Sequence, residues 1–214
     1  MNAGVLIFGA VVGGIFLVLY LVEKKRTEAM CVVAAEIGLP FYAQGDASLI
    51  HELSHFPLFS EGRSKKIKNM LHGETSDVEV GVFDYRYKIL SGKHSHTSKQ
   101  TVAYFRSPEL DCSEFALRPE SLFNKIGRVF GFQDIDFESH PRFSSSYLLR
   151  GSNEYKIRKL FTDEVLAFFE NEPGLSVEGC GQRIIIYRAA KRVNPEAIRS
   201  FFEEMFRVYT LFKS

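Results

Sequence analysis

Polarity along the chain changes its period from one stretch to the next, and each period predicts an element. From Ala3 to Val22 the residues AGVLIFGAVVGGIFLVLYLV carry no charge. A helix of that length covers about 30 Å, the thickness of bilayer hydrocarbon. The expectation is a transmembrane anchor over 1–22. A juxtamembrane helix over 23–38 continues it. Ala29, Val32, Val33 and Ile37 recur at helical spacing there, and Gly38-Leu39-Pro40 supplies the stop. A short helix follows, capped by Asp46 or Ser48, with Leu49, Ile50 and Leu53 turned inward and Pro57 as its end.

The period then drops to two. Residues 66–73 and 78–90 predict strands. In the second, Val78, Val80 and Val82 alternate with polar or small residues. The parity then reverses to Phe83, Tyr85, Tyr87 and Ile89. A one-residue shift sends the apolar set to the other face unless a bulge absorbs it, so an irregularity is expected near Gly81–Phe83. Residues 91–98 read as a polar tip, and 99–106 as the returning strand of a hairpin.

The second half is mixed. A helix is predicted over 118–131, with Pro119 in its first turn and Leu122, Phe123, Ile126, Val129 and Phe130 as its stripe. A short strand is expected at 134–137 and a helix at 153–170. Strands at 175–178 and 183–188 are joined through Gly179-Cys180-Gly181. After Asn194-Pro195, a last amphipathic helix carries Ile198, Phe201, Phe202, Met205, Tyr209 and Phe212. The fold class expected is α+β: an N-terminal transmembrane helix followed by one domain, 39–214, of antiparallel sheet segments covered by helices. A sub-boundary near 131 is the alternative.

Composition adds little to this picture and removes some options. Net charge is +1, so no global field draws the chain to nucleic acid. Three widely spaced cysteines form no C-x-x-C and no disulfide framework, which fits a reducing compartment. Lys24, Lys25 and Arg26 follow the apolar run and no basic residue precedes it. The positive-inside rule then predicts a single-pass inner-membrane protein with its amino end outside and 23–214 in the cytoplasm. Gly9 and Gly13 form a G-x-x-x-G, which lets two such helices approach and permits a homodimer.

Two groups carry candidate chemistry. His51-Glu52-Leu53-Ser54-His55 matches H-E-x-x-H, in which two imidazoles one helical turn apart hold zinc and the glutamate is the base. Glu61 stands six residues past the second histidine, where compact zincins place a third ligand. Leu58 replaces the glycine that turns the chain back, and Pro57 truncates the helix. A tethered zinc metallopeptidase is therefore the alternative reading, with Glu52 as base and His51, His55 and Glu61 as ligands. The second group is basic. Lys24, Lys25 and Arg26, then Arg63, Lys65, Lys66 and Lys68, are candidates for anionic lipid headgroups.

The succession LFSEGRSKKIKNMLHG, VGVFDYRY, FALRPE, RFSSSYLLRG and the 153–189 helix-hairpin resembles a group of uncharacterised bacterial single-pass membrane proteins with a cytosolic α+β domain. The resemblance implies that architecture and no activity, and HELSH is not part of it. The first expectation is thus a membrane-anchored cytosolic module without enzymatic activity or cofactor. It would bind a protein partner or the lipid surface.

Overall fold

The computed structural model describes residues 3–91, 94–122 and 133–213. The first helix, α1, runs unbroken from Ala3 to Ile37 and stops at Gly38, whose φ of +82° suits glycine. The core-facing residues of its second half are Met30, Val33, Ala34 and Ile37, while Val32 is exposed. The docked stripe is therefore turned from the one predicted.

The anchor requires correction. Among the described residues no helix is long and apolar enough to cross a membrane. The apolar part of α1 ends at Val22. Beyond it α1 carries Glu23, Lys24, Lys25 and Arg26 straight into the domain. The transmembrane helix in the expected fold class is not supported, and neither is the single-pass inner-membrane placement with the amino end outside. The α+β character stands.

Strands β1 (Phe41–Tyr42), β2 (Arg63–Glu74), β3 (Glu79–Ser91), β4 (His94–Arg106), β5 (Cys112–Pro119), β6 (Tyr147–Gly151), β7 (Ser176–Gly181) and β8 (Arg183–Tyr187) form one sheet. Its order is β1-β2-β3-β4-β8-β7-β5-β6, and every neighbouring pair is antiparallel. The last strands of the chain therefore sit between β4 and β5, and one sheet joins both halves.

Both faces of this sheet are buried, and that accounts for the parity change in β3. Val80 and Val82 face the larger core, with Ala103, Phe105, Ile184 and Ile186. Phe83, Tyr85 and Tyr87 face the opposite core, with Val102, Tyr104, Ile185 and Tyr187. β3 pairs with β4 without interruption from Glu79 to Ser91. β3 itself carries no bulge, and the irregularity expected near Gly81–Phe83 lies opposite Val82–Asp84 in the neighbouring strand. The irregularities are in its partner β2, where the register to β3 shifts between Arg63 and Lys66 and again between Lys68 and Leu71. Each shift holds a residue with positive φ, Ser64 and Asn69.

The larger core is covered by α1, α4 (Pro141–Ser146), α5 (Glu154–Leu160), α6 (Asp163–Asn171) and α7 (Ile198–Leu211). Phe105 stacks on Tyr209 of α7 at 4.8 Å. The smaller core is covered by α2 (Ala47–Glu52) and α3 (Pro57–Ser60), through Leu49, Leu53, Phe56, Leu58 and Phe59. Asp46 caps α2 by accepting from the Ser48 N–H at 2.7 Å.

Three further expectations change. The helix predicted to start at Arg118 is strand there, because Arg118 and Pro119 pair with Leu148 and Tyr147 of β6. Most of its stripe (Phe123, Ile126, Val129, Phe130) lies outside the described residues. The helix at 153–170 is two helices, broken at Phe161. Thr162 caps the second by accepting from the Val165 N–H, and the Phe161 ring turns inward. The tip at 91–98 is mostly strand, since pairing reaches Ser91 and His94.

Candidate functional site

The H-E-x-x-H segment does not form the two-turn helix that the motif needs. α2 ends at Glu52, so His51 is its last-turn residue and His55 lies beyond it. His51, Glu52 and His55 are exposed. The His55 ring lies against Phe56, 4.4 Å between centroids, and partial burial followed by the Arg183 charge lowers its pKa. Pro57 opens α3 rather than ending α2. Glu61 turns the other way, toward Arg118, with 3.6 Å from Oε1 to Nη1. Among the described residues no group of three His, Cys, Asp or Glu is placed to hold a metal ion.

Glu61 instead rims a buried ionic cluster on the smaller-core face. Glu178 is fully buried and its carboxylate is filled. Oε1 accepts from Arg118 Nη2 at 2.8 Å and from the Tyr187 hydroxyl at 2.7 Å, and Oε2 accepts from the Leu58 N–H at 3.0 Å. Burial pushes the Glu61 carboxyl up, against the pull of Arg118. A buried charge must be paired and hydrogen-bonded to be tolerated. Glu178 meets that demand, whereas Arg118 Nε and Nη1 have no hydrogen-bond partner among the described residues; the bond to the Leu58 N–H ties the 53–62 segment to the sheet.

A second ionic cluster, on the opposite face, ties α1 to the sheet. Arg26 donates to both oxygens of Asp84, 2.7 Å each, with only 8% and 7% of the two side chains exposed. Asn69 Nδ2 and the Thr101 hydroxyl also donate to Asp84, and Thr27 donates to Asn69. Asn69 reaches Asp84 from the second β2 bulge. One turn before Arg26, Glu23 accepts from Lys99 at 2.9 Å and from Arg192 at 2.8 and 3.1 Å. Burial alone would raise the Glu23 pKa, but the hydrogen bonds from Arg192 and Lys99 outweigh it and bring it down to about 2.

These contacts border a cavity of about 50 Å³ at the foot of the exposed part of α1. Its walls carry five cations, Lys66, Lys68, Arg86, Lys99 and Arg192, against two carboxylates, Glu23 and Asp84. Antiparallel register sets three of the cations in a row across the sheet: Lys66 opposite Arg86, and Arg86 opposite Lys99. Like charges directly opposite one another destabilise a sheet.

Strand alternation and the bulges divide the basic run that the sequence presents as one group. Lys66 and Lys68 line the cavity. Lys65 points to the other face and donates to the carbonyls of Phe59 and Ser60 at the end of α3. Arg63 is exposed outside the cavity. Arg26 is occupied by Asp84, Lys24 makes an exposed pair with Glu28, and Lys25 is exposed. Gly13 sits on an open helix face, and the surroundings of Gly9 lie outside the described residues. Arg86 and Lys99 escaped the sequence reading of the site. The polar parity of β3 (Asp84, Arg86, Lys88) was the available signal.

No protein-family model and no curated protein sequence matches the chain. The fold is similar to the crystal structure of the mycobacterial trehalose monomycolate transport factor A, TtfA. The TM-score is 0.64 at 14% identity, covering 87% of this chain and 91% of that one. At that identity the likeness establishes a shared fold.

Proposed function

We propose that the chain is a non-enzymatic, membrane-associated binding module whose apolar arm, the first part of α1, contacts lipid. One observation carries this reading. Phe8, Val11, Ile15, Phe16, Leu17, Val18, Leu19, Tyr20, Leu21 and Val22 are all exposed, on every side of the helix, beside a domain whose cores are closed. Isolated exposed apolar residues are ordinary, whereas a contiguous patch of this kind marks an interaction surface. Each such side chain gains about 1.5–3 kcal/mol on leaving water. The fold shared with a trehalose monomycolate transport factor supports a binding role.

Flotation with neutral phosphatidylcholine vesicles tests it. The full chain is expected to float with the vesicles, and a chain lacking residues 1–22 to stay behind. The shortened chain keeps Glu23 and Arg26, so the sheet contacts of α1 are retained. Equal flotation of the two would overturn the proposal.

A further inference from the structure

We infer that the cationic cavity at the foot of the arm is a binding site for a phosphate-group anion, presented by a lipid headgroup. The lipid source rests on the proposed function; the anion site does not. Three observations converge on it. First, the Lys66–Arg86–Lys99 row places like charges directly opposite across three strands, an arrangement that costs the sheet stability and that a bound anion relieves. Second, the buried or half-buried arginines Arg26, Arg106, Arg118 and Arg188 each face a carboxylate. Among the described residues Lys66, Lys68 and Arg86 face none. Third, the two carboxylates of the cavity are already committed, Asp84 to Arg26 and Glu23 to Lys99 and Arg192.

The cavity thus presents a net excess of positive charge with its own acids satisfied. Arg86 offers the planar fork that matches two oxygens of a phosphate, and the lysines add point charges around it. Place decides between a soluble and a lipid-borne phosphate. Glu23, in the cavity wall, directly follows Val22 of the apolar arm. An arm in lipid therefore holds the cavity at the depth where headgroups lie.

The variant Lys66→Gln/Arg86→Gln tests the site and leaves Lys99 and Arg192 on Glu23. The full chain is assayed in two arms. One measures binding to vesicles of phosphatidylcholine with phosphatidylglycerol and of phosphatidylcholine alone. The other is calorimetry with inorganic phosphate in a neutral detergent. Each basic residue near an anionic surface contributes enough that losing two weakens binding to the mixed vesicles about 30-fold. Binding to neutral vesicles should not change. Because a repulsive pair is removed, the melting temperature should hold or rise, which a structural role for these residues would not produce. Equal binding of variant and wild type in both arms overturns the site, as does a fall in melting temperature. A loss confined to inorganic phosphate keeps the anion site and overturns its lipid source. If the wild type binds no vesicle at all, the proposed function fails and the phosphate arm alone decides the site.

Discussion

Replacing Arg26 with Met should cost the domain a large part of its stability. The Arg26 guanidinium meets Asp84 through two bonds of 2.7 Å in a nearly dry setting. Two unit charges about 4 Å apart interact by about 4 kcal/mol at the effective dielectric of such sites. Met keeps most of the packing volume and removes the charge. Asp84 is then left buried with only Asn69 and Thr101 as neutral donors. Breaking a buried pair in this way costs about 3–5 kcal/mol, against a total stability of about 5–15 kcal/mol. Adding Asp84→Asn removes the stranded charge and keeps an acceptor for Asn69 or Thr101. The double variant should regain about 2 kcal/mol over Arg26→Met alone. Urea unfolding in a neutral detergent reads both steps as shifts in midpoint at constant slope. A cost below about 1 kcal/mol for Arg26→Met would refute the buried-pair argument. So would a double variant less stable than the single one.

Three other outcomes follow from the geometry. The folded Glu23 carboxyl titrates near 2, below its unfolded value, so its contribution is complete above about pH 4.5 and is lost as pH falls toward 2. After solvent screening of a half-exposed group this amounts to about 1 kcal/mol, read as the melting-temperature difference between wild type and Glu23→Gln across that window. Gly151→Ala should destabilise by about 1–3 kcal/mol in chemical unfolding, because the new methyl lands on the Glu114 carbonyl oxygen and the Ile157 side chain. Elemental analysis of the purified chain should find no stoichiometric zinc. Zinc at one equivalent that disappears in His51→Ala would restore the peptidase reading.

The parts of this fold legible in the sequence are those where one residue's neighbours along the chain decide its state. The Gly38 stop, the Asp46 cap and the stripe of the last helix belong there. What escaped depends on partners distant in sequence. Arg118-Pro119-Glu120 has the composition of a helix start, yet Pro119 closes a strand because it pairs with Tyr147 of β6. The parity change in β3 was visible, but its cause, two cores on opposite faces, belongs to the sheet. The bulges that accommodate β2 sit at Ser64 and Asn69, where the residues alone give no warning. Of the cavity, only Lys66 and Lys68 stood in a basic run singled out for lipid contact. Arg86 and Lys99 join them through cross-strand register, and Arg192 through Glu23. HELSH shows the reverse case, a motif complete in letters whose helix ends before its second histidine.

α1 is one rod, with an apolar half that is much the same on every side and a polar half clamped at Glu23 and Arg26. For the proposed lipid contact, a cylinder without a distinct side sets no preferred rotation about its own axis. Because no hinge separates the two halves, any tilt of the arm is passed whole to the sheet. The direction in which the domain faces is then left to its charges. Under the proposed anion site, the cations at the foot of the rod supply that direction.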